Sequence, residues 1–245
     1  MSTRTYTRFE VTRAFRNRRF FLFSLAFPLI LFFVIAAPNR DEHNLGGSGL
    51  DAPLYFMIGL TAFGTMNAVL GTGGRIAAER SMGWNRQLRL TPLSPRAYFR
   101  TKVLTAYLSA LLTIAVLYAA GASLGVRIEA SRWVEMTVLI LIGLIPFAGL
   151  GILIGHLVNI DSIGPAIGGI TAVLGLLGGV WFPITGDGVM HDIAMSLPSY
   201  WLVQASHVAI GGAAWGATGW FVVTVWSVGA GLVAAWVYRR DTQRY

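Results

Sequence analysis

Polar residues along this 245-residue chain gather into a few short blocks separated by long apolar runs. Six such runs, at approximately 20–37, 53–74, 103–120, 133–155, 162–182 and 216–237, have no charge at their centres. A helix of about 20 apolar residues crosses a hydrocarbon core about 30 Å thick, and each run is close to that length. Backbone polar groups in lipid need partners within the protein, so the runs predict helices. Period-2 alternation, the mark of a β-barrel, is not evident. The expected fold class is therefore an all-α integral membrane protein, a single transmembrane domain over 1–245 with six transmembrane helices. Ahead of the first run, the N-terminal segment predicts a short interfacial helix of modest amphipathicity, its apolar residues Tyr6, Phe9, Val11, Ala14 and Phe15 covering over half the circumference. Between runs five and six, residues 183–215 are semi-apolar and broken by Pro183, Gly186, Gly188 and Pro198. That pattern predicts short re-entrant or interfacial helices, with an ordinary loop as the plainer alternative.

Composition agrees with this picture. The chain is 55% hydrophobic and 12% charged, against about 25% charged residues in soluble domains. Its net charge of +8 would suit nucleic acid, but the distribution of that charge suits a membrane better. Sixteen of the 19 Lys and Arg fall in the N-terminus, the 75–102 segment or the C-terminus; only Arg40, Arg127 and Arg132 fall in the other connections. Those other connections carry Asp41, Glu42, Asp51, Glu129, Glu135, Asp187 and Asp192. The positive-inside rule then makes the basic face, with both termini, cytoplasmic. Trp133, Trp181, Trp215, Trp220, Trp236 and Tyr238 near the span ends suit an interfacial aromatic belt. Arg18–Leu22, "RRFFL", imitates a twin-arginine export signal, but the apolar run is too long for one and five more follow. With no cysteine, disulfides and thiolate metal sites are excluded.

Few residues could carry chemistry. Gly71–Arg75, "GTGGR", lacks the Gly-Lys-Ser/Thr ending of a phosphate loop and suits close helix packing instead. His43, His156, His191 and His207 include no pair with metal-ligand spacing on one helix, and His156 reads as an interfacial histidine. Gly47–Gly49, "GSG", lies in a polar loop without a partnering histidine. An ion-driven carrier keeps an ionisable group at the bilayer midplane, and none is visible. Asp161 reads as the N-cap of the fifth span. Asn67, inside the second span, suits an interhelical hydrogen bond, or alternatively substrate contact. Gly164, Gly168, Gly175 and Gly179 share one face of the fifth span, and Gly151 and Gly155 repeat the small-xxx-small spacing in the fourth. Such faces let helices approach closely. The fifth-span face suits a dimer seam or an internal contact.

The 79–102 segment, "ERSMGWNRQLRLTPLSPRAYFRTK", carries more than topology requires. A solvated loop would not need Trp84, Leu88 and Leu90, and the basic charge has no nucleic-acid module behind it. A short helix with an apolar anchor and a basic rim suits docking on a soluble partner.

Three groups of residues resemble the ABC-2 type permeases, the membrane subunits of bacterial ABC exporters, and the resemblance covers essentially the whole chain. The first is Glu79-Arg80, Gly83, Arg86 and Leu88, followed by Leu90-Thr91-Pro92-Leu93-Ser94 and, eight residues later, Lys102. The second is Gly179-Val180-Trp181-Phe182-Pro183. The third is Leu197-Pro198-Ser199-Tyr200-Trp201. The chain departs from the family pattern at Asn85, Arg86 and Gln87, where further acids often follow the glycine.

The resemblance implies a pathway-forming subunit in the bacterial inner membrane with no cofactor of its own. ATP and Mg would bind a separate ABC ATP-binding subunit, two of which would join two copies of this chain amid membrane lipids; no nucleic acid is involved. The coupling helix would lie in 79–94, with Glu79, Arg80, Gly83, Trp84, Arg86, Leu88, Leu90, Thr91 and Pro92 toward the ATPase. Outer re-entrant helices would occupy 183–201. Asn67, Trp181, Phe182, Pro183, Pro198, Tyr200 and Trp201 would line the pathway and its outer gate. The expected cargo is a hydrophobic or amphiphilic compound such as an antibiotic, drug or lipid-like molecule. The alternatives are a polysaccharide or glycolipid, or a membrane sensing module paired with an ATPase.

Overall fold

The computed structural model describes residues 3–18, 22–84, 87, 93–212 and 215–243. Every regular element among them is helical. In chain order these are α1 (Thr3–Phe15), α2 (Phe27–Ala36), α3 (Ala52–Ser81), α4 (Pro95–Ser123), α5 (Ala130–Gly143), α6 (Ile145–Leu157), α7 (Ile160–Leu177), α8 (Val189–Met195), α9 (Pro198–Gln204) and α10 (Ala217–Gln243). A π-helical turn, Leu22–Ala26, leads into α2, and a 3-10 turn, Ala205–Ile210, follows α9.

Five helical stretches are long and apolar enough to span a membrane: α3, α4, α5 with α6, α7 and the first 22 residues of α10. The first expected span is shorter; its apolar helix runs Ser24–Ala36. The fourth span is interrupted at Leu144, where α5 gives way to α6. Pro146 sits in the first turn of α6, and a proline there removes a backbone donor and crowds the carbonyl four residues back.

The bundle is built around α3. Nearly all of its side chains are buried, and it packs against α2, α4, α6, α7 and α9. The outer faces of α7 and α10 are open, with Val173, Leu176, Phe221, Val225 and Leu232 exposed. Apolar side chains facing outward are stable where the surroundings are lipid. Glycines set the closest approach. A Cβ on Gly73 would lie 2.4 Å from the Gly151 carbonyl oxygen, and one on Gly155 would lie 2.7 Å from that of Gly73. The α3–α6 crossing therefore uses both the Gly71–Arg75 run and the small-xxx-small pair of the fourth span.

Two sequence expectations fail in α7. Its N-cap is Asn159, and Asp161 sits inside the first turn, exposed. An acid there favours the helix dipole without capping the backbone. The helix also stops at Leu177 rather than at residue 182. The Gly179 N–H donates to the Leu176 carbonyl and the Val180 N–H to the Gly175 carbonyl, with Gly179 at φ +77°. This is a Schellman ending, and its left-handed residue is a glycine because a Cβ there is strained. Trp181, Phe182 and Pro183 follow the turn and lie outside the helix.

At one end of the bundle, α1 meets the end of α3 and the start of α4, and Tyr238 near the end of α10 meets Phe99 of α4 and His156 of α6. The N-terminal helix and the C-terminal end of α10 thus share the basic end. The opposite end holds the 38–51 loop, α8, α9 and the 3-10 turn.

Candidate coupling site

The helix α3 has 30 residues and so is about 45 Å long, roughly 15 Å more than a hydrocarbon core. The excess carries Arg75, Glu79 and Arg80 beyond the apolar layer on a continuous helix. The helix α4 begins equally early. Ser94 caps it, its Oγ accepting from the Ala97 N–H at 3.2 Å, and Pro95 fills the first helical position, where a missing N–H costs nothing. The first turns of α4 bring Tyr98 and Lys102 against the last turns of α3. The third wall is α1, whose buried face is Tyr6, Glu10 and Ala14, a spacing of four that stacks them along one side. Phe9, expected on the apolar face, is instead exposed.

These three helices enclose a cluster of charges. Lys102 is fully buried; its Nζ donates to Glu10 Oε1 at 2.6 Å and to Glu79 Oε1 at 2.5 Å. Arg13 donates to the same Glu79 oxygen at 3.0 Å. The Tyr98 hydroxyl donates to Glu79 Oε2 at 2.6 Å. Arg75 donates to Thr72 at 3.1 Å, and its Nε lies 3.4 Å from Glu10, out of hydrogen-bond alignment. Tyr6 stacks on Tyr98 at 6.1 Å, its hydroxyl buried and unpartnered. Burial first, then the charges of Glu79 and Glu10, push the Tyr6 phenol well above its usual range, so it stays neutral. Two carboxylates thus face three cations across three chain segments. Removing one partner of a buried pair typically costs about 3–5 kcal/mol, because the other charge is left uncompensated.

Glu79 and Arg80, expected toward a partner, turn inward. Glu79 is buried in the cluster, and Arg80 donates to the Gly155 carbonyl of α6 at 3.0 Å. The helix ends immediately afterwards. Gly83 takes φ +68°, the left-handed conformation that glycine adopts without strain, and Trp84 follows half-buried. Arg86, Leu88, Leu90, Thr91 and Pro92 lie outside the described residues. The arrangement is thus a segment whose two roots, Glu79 and Lys102, are joined by a direct ion pair. Glu10 is the member of the ion cluster that sequence reasoning missed. Its only signal was being the sole acid among six arginines of the N-terminus.

The remaining expected residues fall at the opposite end or mid-bundle. The Asn67 amide donates to the Phe63 carbonyl of its own helix at 3.1 Å, and among the described residues it forms no interhelical bond. Trp181 packs on Phe63, with ring centroids 5.3 Å apart, and Phe182 is exposed. Pro198 starts α9. Trp201 donates to the Met195 carbonyl at 2.9 Å, and Trp215 donates to the Trp201 carbonyl at 2.7 Å. These indole bonds tie α8, α9 and the start of α10 into one unit. Gly175 meets Trp181 and Phe63, whereas Gly164 and Gly168 face open space among the described residues. Among the described residues no group of His, Asp and Glu could hold a metal ion.

Comparison with known proteins agrees with this architecture. Residues 1–211 match the family described as "ABC-2 type transporter". A Bacillus subtilis (strain 168) protein named "Putative transport permease YvfS" is 29% identical over 194 residues, covering 78% of each chain. An all-helical chain of several apolar helices, with most of its basic residues in the segments of one end and a family match over most of its length, belongs to the ABC-2 type transporter family, and is a multi-pass membrane subunit of an ABC transporter rather than its ATPase.

Proposed function

We propose that this chain forms the pathway of an ATP-driven exporter for a hydrophobic or amphiphilic compound, with the basic end cytoplasmic and ATP hydrolysed on a separate cassette subunit. The 79–94 segment docks on that subunit, and a second copy of the chain completes the pathway. The observation that carries this reading is the ion pair between Glu79 and Lys102, which ties both roots of the segment to each other and to α1. A push on the segment then moves α3 and α4 together. Since α3 contacts most of the bundle, displacement of its end reaches the opposite face. The two states of the pump would differ in how the segment is held, as any coupling between sites requires. The open faces of α7, including Gly164 and Gly168, and of α10 are available for lipid and for the second copy.

Co-purification with the cassette ATPase tests the docking. Leu88→Asp with Leu90→Asp is expected to abolish ATPase capture while leaving the membrane subunit folded; undiminished capture would remove the coupling assignment. Transport into vesicles with and without hydrolysable ATP separates a pump from a sensing module.

A further inference from the structure

A cavity of about 290 Å³ lies at the end of the bundle opposite the ion cluster. Its walls are the 47–50 loop, the first turn of α3, the Schellman turn after α7, α9 and the 3-10 turn that follows. Among the described residues, no Lys, Arg, Asp or Glu lines it. Its polar groups are nevertheless numerous, and one of them is buried with nothing to bond. The Ser206 side chain is almost fully buried, and its Oγ has no hydrogen-bond partner. The Tyr200 hydroxyl and the Gln204 carboxamide also line the cavity; among the described residues neither is hydrogen-bonded to the protein, and neither is sealed from solvent. The Tyr55 hydroxyl donates to the Gly179 carbonyl and keeps its lone pairs for an incoming donor. His207 Nδ1 faces the Gln204 carbonyl at 3.3 Å, which leaves its other ring nitrogen uncommitted.

Buried polar groups are normally satisfied, and the Ser206 hydroxyl, which is not, marks a place where something else supplies the partner. Water can do so, and the volume admits several molecules at about 30 Å³ each. A ligand that replaces them must reproduce their bonds. The lining offers donors and acceptors in mixture without a charge. An anion would find no ammonium or guanidinium, and an ammonium would find no carboxylate. An alkyl group would leave the hydroxyls and the amide unsatisfied. A group bearing hydroxyls, each able to donate and accept, fits all three constraints. The volume, at the low end of small-molecule sites, suits one ring-sized headgroup.

We propose that this cavity is a binding site for a neutral polyhydroxylated group, such as a sugar ring. Calling that group the headgroup of the exported compound rests on the transport reading; the site itself does not.

The test uses full-length protein in lipid nanodiscs and an octyl glucoside carrying a diazirine on the sugar, with labelled peptides mapped by mass spectrometry. Label is expected within 47–55, 178–186 and 200–207. Octyl glucoside should compete it away, whereas octyl phosphate and octyltrimethylammonium should not. Competition by free glucose would point to a soluble sugar, and competition by the glucoside alone to an amphiphile; both are the proposed chemistry. Tyr200→Phe with Gln204→Leu removes side-chain groups that make no hydrogen bond in the free protein, so the pair should fold normally and lower labelling about tenfold. Label elsewhere, equal competition by the charged octyl compounds, or undiminished labelling of the double variant would overturn the site and leave a water-filled cavity. Labelling as expected, with no effect of the glucoside on ATP hydrolysis by the assembled complex, would keep the site and remove its link to transport.

Discussion

Lys102 closes the basic end of the molecule, because both buried carboxylates there depend on its ammonium. Lys102→Met should lower the stability of the detergent-solubilised protein by about 3–5 kcal/mol, read as a fall in thermal midpoint. Adding Glu10→Gln should recover part of that loss, since contacting residues do not behave additively. A titratable contact at the opposite end has a clear sign. His43 Nδ1 lies 2.8 Å from Asp51 Oδ1, and the hydrogen bond, then the carboxylate charge, raise the imidazole above its usual value. The pairing is fully present below the unfolded value near 6.5 and fades as pH rises through the higher folded value. An NMR titration should find the His43 midpoint above about 6.5, and Asp51→Asn should bring it back down. At this scale the sequence was least legible. Arg75 and Lys102 read as cytoplasmic anchors because sequence counts a charge by the side of the membrane it occupies. Their burial depends on Glu10, far away in the chain, and no local pattern announces that pairing.

Elements were more legible, since apolar runs and proline or glycine stops act locally. The limits of that legibility have physical causes. The fifth span was drawn too long because Trp181 and Phe182 continue the apolar run past Gly178 and Gly179, and hydropathy does not register a change of backbone hand. The glycine faces were visible, but which one another helix would use was not, because that depends on neighbours. The structure separates them, and substitution should too. Gly155→Val forces a side chain against the α3 backbone and should cost about 1–3 kcal/mol or more by overpacking. Gly164→Ala faces open space and should be neutral or stabilise the single chain by up to about 1 kcal/mol, the helix-propensity difference. Unfolding in mixed micelles would give both values. Lost dimer with a stable protomer in the Gly164→Ala variant would place the second copy on that face.

For the whole molecule, the sequence predicted two ends of opposite charge character, and the fold gathers the connecting segments accordingly. Orientation is directly testable because the chain contains no cysteine, so single cysteines need no background removed. Ser94→Cys and Ser48→Cys should react with a membrane-impermeant maleimide from opposite sides of the membrane, Ser48→Cys from the outside of intact cells; reaction of both from one side would overturn the topology. The ion cluster also has a consequence in time. Glu10 and Lys102 are separated by 92 positions. At roughly 5–20 residues per second, Glu10 is synthesised about 5–20 s before the ammonium it pairs with. Until then α1 has no completed socket and must wait beside the membrane while two more hydrophobic segments are inserted. Ribosome-arrested chains ending before Lys102 should therefore expose α1 to protease, and chains extended through α4 should protect it. The helix α1 is thus made before the helices that hold it and is among the later ones to be locked in place.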